Sequence, residues 1–264
     1  MSCLHWLPLR PPGFPPAFEI CLSTCKLDDD ADIAMQGAWT VLSSVEVEHA
    51  KRFRFARDRA RYVRGRAFLR HALGAATDQH PARLALTETR NGKPFLDEKL
   101  HFNLSHSAGL AVLVISASGP VGIDLEFIDR GIDVAGLAQS CFTKDEARSL
   151  LNLPAPEQAA RFFAFWTAKE ARMKLTGDGM SLPPRQISLD IQDGVPVGYL
   201  RPAYPAAQAV FIDLGPPAAL CCLALPQGPQ PTIFSRNISK APSFAMTNPF
   251  ISENAHHVSL KRNQ

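Results

Sequence analysis

Apolar positions in this chain recur with period two in some stretches and at helical spacing in others, and their alternation gives an element order. Residues 18–25, FEICLSTC, alternate and predict a first strand. Ser43, with Glu46 three positions on, has the form of a capping box, so a helix is predicted from there. It runs, with a break near Phe55, to Leu73, and Gly74 supplies the stop. Leu84-Ala85-Leu86 is a short strand candidate, Asn91-Gly92-Lys93-Pro94 is turn chemistry, and residues 100–104 alternate as a strand. Residues 105–109 read as a loop. Residues 110–115 read as a buried strand whose short connection makes the pair antiparallel.

Gly119-Pro120 then divides the chain, and residues 121–126 form another strand. Thr143 and Glu146 make a second capping box, opening a helix to about residue 151. Pro156 suits the first turn of a further helix that ends at Thr176 before Gly177. Strands follow at 186–191, 208–214 and 219–225. The sequence therefore divides into a Pro-rich segment (1–17), an N-terminal lobe (18–118), a C-terminal lobe (119–226) and a polar tail (227–264) expected to be disordered. Strand, helices, strands, twice over, implies an α+β protein of two similar lobes, with helices on mainly antiparallel sheets. No residue-level repeat is visible between the halves.

Composition narrows the class. At 264 residues and 46% hydrophobic, the chain can bury one large core or two small ones. The six cysteines form no CxxC pair and sit at no zinc spacing, so they read as free thiols of a reducing compartment. The first apolar stretch is broken by Arg10 and by prolines, unlike a signal peptide, and no run is long enough for a membrane span. A cytoplasmic location is expected. Net charge is only +3, yet residues 51–70 hold nine of the 28 Lys and Arg, which favours a polyanion near that helix.

Candidate chemistry concentrates in two stretches. In Val121-Gly122-Ile123-Asp124-Leu125-Glu126, alternation sends Val121, Ile123 and Leu125 to the core and puts Asp124 and Glu126 on the other face with Gly122, whose bare backbone leaves room for a ligand. In Trp166-Thr167-Ala168-Lys169-Glu170, continuing to Lys174, Glu170 and Lys174 share a helix face. Three carboxylates and a lysine able to converge are the parts of a Mg²⁺ site that handles a phosphate. The plain alternatives are an exposed strand face and an ordinary i,i+4 pair. Asn103-Leu104-Ser105-His106-Ser107 can bind phosphate through hydroxyl and imidazole, or is a polar hairpin tip. The basic helix is a solvated face or a phosphate contact; no nucleic-acid recognition motif accompanies it.

These strings, in order, resemble a known family. G-K-P-F (92–95), N-L-S-H-S (103–107), V-G-I-D-L-E (121–126), F-W-T-A-K-E-A-R-M-K (165–174) and G-x-G-M-S-L-P (177–183) are similar to those of the two-domain, surfactin-synthetase-type 4′-phosphopantetheinyl transferases, as is F-x-F-A-R-D (53–58). The resemblance implies two α/β lobes with a pseudo-twofold relation and coenzyme A in the cleft between them. The arm of coenzyme A would move to a serine of an acyl or peptidyl carrier protein, releasing adenosine 3′,5′-bisphosphate. Asp124, Glu126 and Glu170 would hold Mg²⁺, with Glu170 also the candidate base, and Lys174 would contact the phosphates. Ser105, His106 and Lys93 would hold the coenzyme. Lys51, Arg52 or Arg61 would take the 3′-phosphate, because the chain departs from the family pattern at Glu46, acidic where members carry a base. A monomer is expected, acting without nucleic acid or membrane. Two rivals stand beside this reading: a metal-dependent phosphodiesterase or pyrophosphatase, and a non-catalytic nucleotide- or RNA-binding module.

Overall fold

The computed structural model describes residues 19–28, 32–96, 100–214, 219–228, 231–237 and 256–257. The Pro-rich start and most of the tail lie outside these residues. The first half runs β1 (Glu19–Lys26), α1 (Asp32–Thr40), α2 (Ser44–Lys51), α3 (Ala56–Thr77), a hairpin of β2 (Thr87–Glu88) and β3 (Pro94–Phe95), then β4 (His101–Ser107) and β5 (Leu110–Ser116). The second runs β6 (Gly122–Phe127), α4 (Val134–Cys141), α5 (Lys144–Leu151), α6 (Ala155–Thr176), β7 (Ser188–Gln192), β8 (Val195–Arg201), β9 (Ala207–Ile212) and β10 (Ala219–Pro226). Strands β11 (Thr232–Asn237) and β12 (His256–His257) follow.

Besides the β2–β3 hairpin, the described residues form two five-stranded sheets, in the orders β12-β11-β1-β5-β4 and β6-β10-β9-β8-β7. Their inner faces pack together through Ile20, Leu22, Val112 and Val114 on one side and Ile123, Leu125, Leu223 and Leu225 on the other. The outer faces are each covered by a helix: Leu69 and Leu73 of α3 against Leu113 and Phe102, and Phe165 and Ala168 of α6 against Tyr199 and Cys222. Alternation along β10 serves both layers, with Cys222 and Ala224 facing α6 and Leu223 and Leu225 facing the other sheet.

Both capping boxes form as the spacing predicts. The structure also shows a repeat that the residue letters hide. Glu46 caps α2 and accepts from Arg70 Nε at 2.6 Å, while Arg70 also donates to the carbonyls of Pro81 and Leu84. Glu146 caps α5 and accepts from Lys169 Nζ at 2.6 Å, while Lys169 donates to the carbonyls of Pro184 and Ile187. α3 and α6 are each 22 residues long, and each delivers its buried cation to the same three kinds of acceptor. This also explains the acidic departure at Glu46. Its carboxylate is buried between Arg66 and Arg70, and this pairing offsets the cost of burial.

Several expectations need correction. α3 does not stop at Gly74 but runs to Thr77, and Asp78 supplies the left-handed residue at φ 54°. Gly74 is needed instead for close approach, since a Cβ there would stand 2.7 Å from the Gln79 carbonyl oxygen. Residues 84–86 form no strand; a 3₁₀ turn at Pro81–Arg83 precedes the short β2. Residues 105–107 are not loop: β4 continues through Ser107, and the turn is confined to Ala108 and Gly109. Helices α1 and α4 and strand β8 were not expected. Nor is the region after Pro226 wholly without structure. β11 lies parallel to β1, pairing Glu19–Thr24 with Thr232–Asn237, because Ile233 finds a place in the inter-sheet core.

Gly122 does share a face with Asp124 and Glu126, but the room it leaves is taken by α6 rather than by a ligand. A Cβ there would stand 2.1 Å from the Ala171 carbonyl oxygen and 2.3 Å from the Leu175 nitrogen. Both atoms are helix backbone and cannot step aside, so Gly122→Ala is expected to cost about 3 kcal/mol. Urea unfolding measures this, and an unchanged midpoint would mean that α6 does not rest on the strand there.

Candidate active site

β6 and α6 carry the acidic groups. The two-residue repeat brings Gly122, Asp124 and Glu126 to the β6 face across which α6 lies. Glu170 and Lys174 lie one turn apart on α6. The ion pair of Lys174 is with Asp124: Nζ stands 2.6 Å from Asp124 Oδ1 and 2.9 Å from Ser105 Oγ. Trp166, a turn before Glu170, has its indole near the Glu126 carboxylate.

β4 of the other lobe supplies the opposing wall. β6 is the edge strand of its sheet, so its outward N–H groups need acceptors. Asn103 Oδ1 takes the N–H of Ile123 at 2.9 Å, and Ser105 Oγ takes that of Leu125 at 3.2 Å. Ser105 then donates to Asp124 Oδ1 at 3.0 Å, and Ser107 to Glu126 Oε2 at 2.9 Å. The two lobes are thus joined side chain to backbone, directly at the acids.

The electrostatics reflect this crowding. Burial, then the neighbouring Asp124, pushes the Glu126 carboxyl above its ordinary range. Burial, then Asp124, with a further contribution from Glu126, does the same to Glu170. Asp124 itself is only 3% exposed, and its Oδ2 is buried with no hydrogen-bond partner. Partial burial and the charge of Lys174 hold the His106 imidazole below its ordinary range, so it is neutral near pH 7.

Among the described residues no three His, Cys, Asp or Glu side chains already form a cage for an ion. The ammonium of Lys174 is the cation at Asp124. The donor set nevertheless suits a hard divalent cation. Its groups are carboxylate oxygens, burial and then the neighbouring acids disfavour ionisation of two of them, and one buried oxygen has no hydrogen-bond partner.

The remaining candidates are placed less centrally. Lys51 bonds Glu48 at 2.6 Å, and Arg61 forms a two-point pair with Asp28 at 2.6 and 2.5 Å. Arg52 makes no ion pair among the described residues. Lys93 donates to three main-chain carbonyls in the other lobe. Asn103 and Ser107 belong to the N-L-S-H-S motif, yet the resemblance implies no role for either. The parity of 103, 105 and 107 on one strand face would have found them, had the strand been extended through Ser107.

The sequence model described as the 4′-phosphopantetheinyl transferase superfamily matches residues 120–216, and that described as the N-terminal part of 4′-phosphopantetheinyl transferase matches 31–118. The 4′-phosphopantetheinyl transferase HetI of Nostoc sp. is 35% identical over 181 residues, covering 67% of this chain and 76% of its own. The chain belongs to the 4′-phosphopantetheinyl transferase superfamily. The transferase psf-1 of Bacillus pumilus is 40% identical over 134 residues, covering 50% of this chain and 56% of its own. Sfp of Bacillus subtilis is 31% identical over 156 residues, covering 58% of this chain and 68% of its own. The boundary between the two matched segments of this transferase, at residues 118 and 120, falls at the β5–β6 connection, where the structure passes from one sheet to the other. Among its described residues no helix is long and apolar enough to cross a membrane.

Proposed function

We propose that this chain transfers the 4′-phosphopantetheine arm of coenzyme A to a serine hydroxyl of an acyl or peptidyl carrier protein, with Mg²⁺, in the cytoplasm and as a monomer. The observation that carries the reading is the seam at β4 and β6. There, the two acids of a strand of one lobe meet hydroxyls of the other, and a lysine of the neighbouring helix joins Asp124.

Asp124, Glu126 and Glu170 would hold the cation, which neutralises a diphosphate so that a nucleophile can approach. Glu170, with its raised affinity for a proton, takes the proton of the incoming serine hydroxyl. The serine oxygen forms its bond to the phosphorus carrying the pantetheine arm. The bond to the bridging oxygen breaks, and adenosine 3′,5′-bisphosphate leaves. Lys174, held in place by Asp124 and Ser105, presents a compact positive charge to that departing group. His106, exposed on the other face of β4 from Ser105, feels the charge of Lys174 and would bind the coenzyme with Ser105. Arg52, which makes no ion pair among the described residues, would take the 3′-phosphate, whereas Lys51 and Arg61 must first leave their carboxylates.

Mass spectrometry of an apo carrier protein mixed with this protein, coenzyme A and Mg²⁺ tests the reading. The expected result is a carrier heavier by one phosphopantetheine arm. Coenzyme A cleaved equally well without any carrier would favour a phosphodiesterase instead.

A further inference from the structure

The last turn of an α-helix leaves carbonyl oxygens that its own backbone cannot satisfy. In α6 these belong to the turn that carries Lys174, and much of what they receive comes from the other lobe. Lys93 Nζ donates to the carbonyls of Lys174 at 2.6 Å and Leu175 at 3.5 Å. It also donates to that of Val121 at 3.4 Å, at the entrance to β6. Asn91 Nδ2 donates to the carbonyls of Gly177 at 2.9 Å and Asp178 at 3.2 Å. Both donors sit at the tip of the β2–β3 hairpin.

That tip is stiff. The Thr89 N–H donates to the Lys93 carbonyl at 2.8 Å, the Gly92 N–H to that of Thr89 at 2.9 Å, and the Lys93 N–H to Thr89 Oγ1 at 3.0 Å. Gly92 turns the chain at φ 76°, a conformation that favours glycine. One short bond, to the Lys174 carbonyl, and two longer contacts turn the Lys93 ammonium toward the backbone of the other lobe. A cation at a helix C-terminus is also favourably placed in the helix field.

We propose that Lys93 and Asn91 are positioning residues: the N-terminal hairpin clamps the C-terminal end of α6 and so fixes Lys174 and Glu170 against β6. The inference rests on the proposed transfer only for its kinetic consequence. Lys93 is the stronger member, because it holds the backbone of Lys174 itself and the lead into β6 at once. Burial, which strips water from the charge, pushes its ammonium down to about 8.

Two measurements on the full chain test the clamp. In Lys93→Met, hydrogen exchange of the amides in residues 174–178 is expected to accelerate about tenfold, while exchange elsewhere in α6 stays near wild type. This readout does not depend on any activity. In the transfer assay the same variant should lose about tenfold in kcat, with KM for coenzyme A within about twofold of wild type, because a displaced reacting group costs rate rather than affinity. Lys93→Arg, which keeps the charge, should recover part of the loss. Asn91→Ala, at an exposed position, should show the same pattern more weakly, and it keeps the test open should Lys93→Met fail to fold. Unchanged exchange at 174–178 overturns the clamp. So does a raised KM with kcat intact, which would mean direct coenzyme contact, or a lowered melting temperature with both constants unchanged. A wild-type protein that modifies no carrier would sink the transfer reading while the exchange measurement still decides the clamp.

Discussion

Glu170→Gln is expected to abolish transfer while making the protein more resistant to heat. The catalytic side follows from the proposed role of Glu170 as a positioned base, whose removal would cost about 10²–10⁴-fold in rate. The stability side follows from the crowding of Glu170 by burial, Asp124 and Glu126. Its folded-state carboxyl holds a proton to higher pH than the unfolded chain does. The folded state therefore binds the extra proton in the window just above the ordinary carboxylate range, and stability falls as pH rises through it. Near neutrality the ionised carboxylate is a net cost, and the neutral amide removes it. The melting temperature of the variant should exceed that of wild type at neutral pH, and the gap should shrink as pH falls and Glu170 protonates. Mg²⁺ should close the gap from the other side by stabilising the wild type alone. Scanning calorimetry across pH with and without Mg²⁺, beside the transfer assay, checks all three. A variant that keeps more than a tenth of wild-type transfer would remove Glu170 from the mechanism.

Glu146→Ala is expected to be the most damaging change to stability, about 3–5 kcal/mol, without touching the site. Its Oε2 accepts from Lys169 at 2.6 Å and from the Thr143 N–H at 2.9 Å, and its Oε1 from the Leu189 N–H at 2.8 Å. Removing it strands a lysine that is 0% exposed, with only two carbonyls for its charge. Burial already pushes the Lys169 ammonium down even with Glu146 present. The double variant Glu146→Ala, Lys169→Met should therefore recover much of the loss, because the stranded charge goes with the second change. Urea midpoints of the three variants form the cycle. A double variant no better than Glu146→Ala would place the cost in the lost cap and not in the lysine.

What could be read from the letters depended on range. Ser43 with Glu46, Thr143 with Glu146, and Gly177 after Thr176 are local signals, and each marks a helix end in the structure. Alternation correctly sent Ile123 and Leu125 inward, and put Gly122 with the two acids. It did not reveal what covers that face, because α6 arrives from some fifty residues away in sequence. The partners of Lys93 are hidden for the same reason, being main-chain carbonyls of the other lobe. The repeat escaped notice because chemistry rather than identity is kept: threonine stands in for serine, and lysine for arginine. Most of the arginines in 51–70 looked available for a polyanion, yet Arg61, Arg64, Arg66 and Arg70 hold internal acceptors. Residues 105–107 read as a loop because a polar run is also what an edge strand carries when it meets another strand's N–H groups and carboxylates.

The seam between β4 and β6 has a wider meaning for the molecule. Each half owns its own anchoring pair, Glu46 with Arg70 and Glu146 with Lys169, yet neither half owns the chemistry. The acids come from one and the hydroxyls that aim them from the other. The proposed site therefore resembles a dimer interface folded into a single polypeptide, and turnover there would report that the two halves are correctly docked.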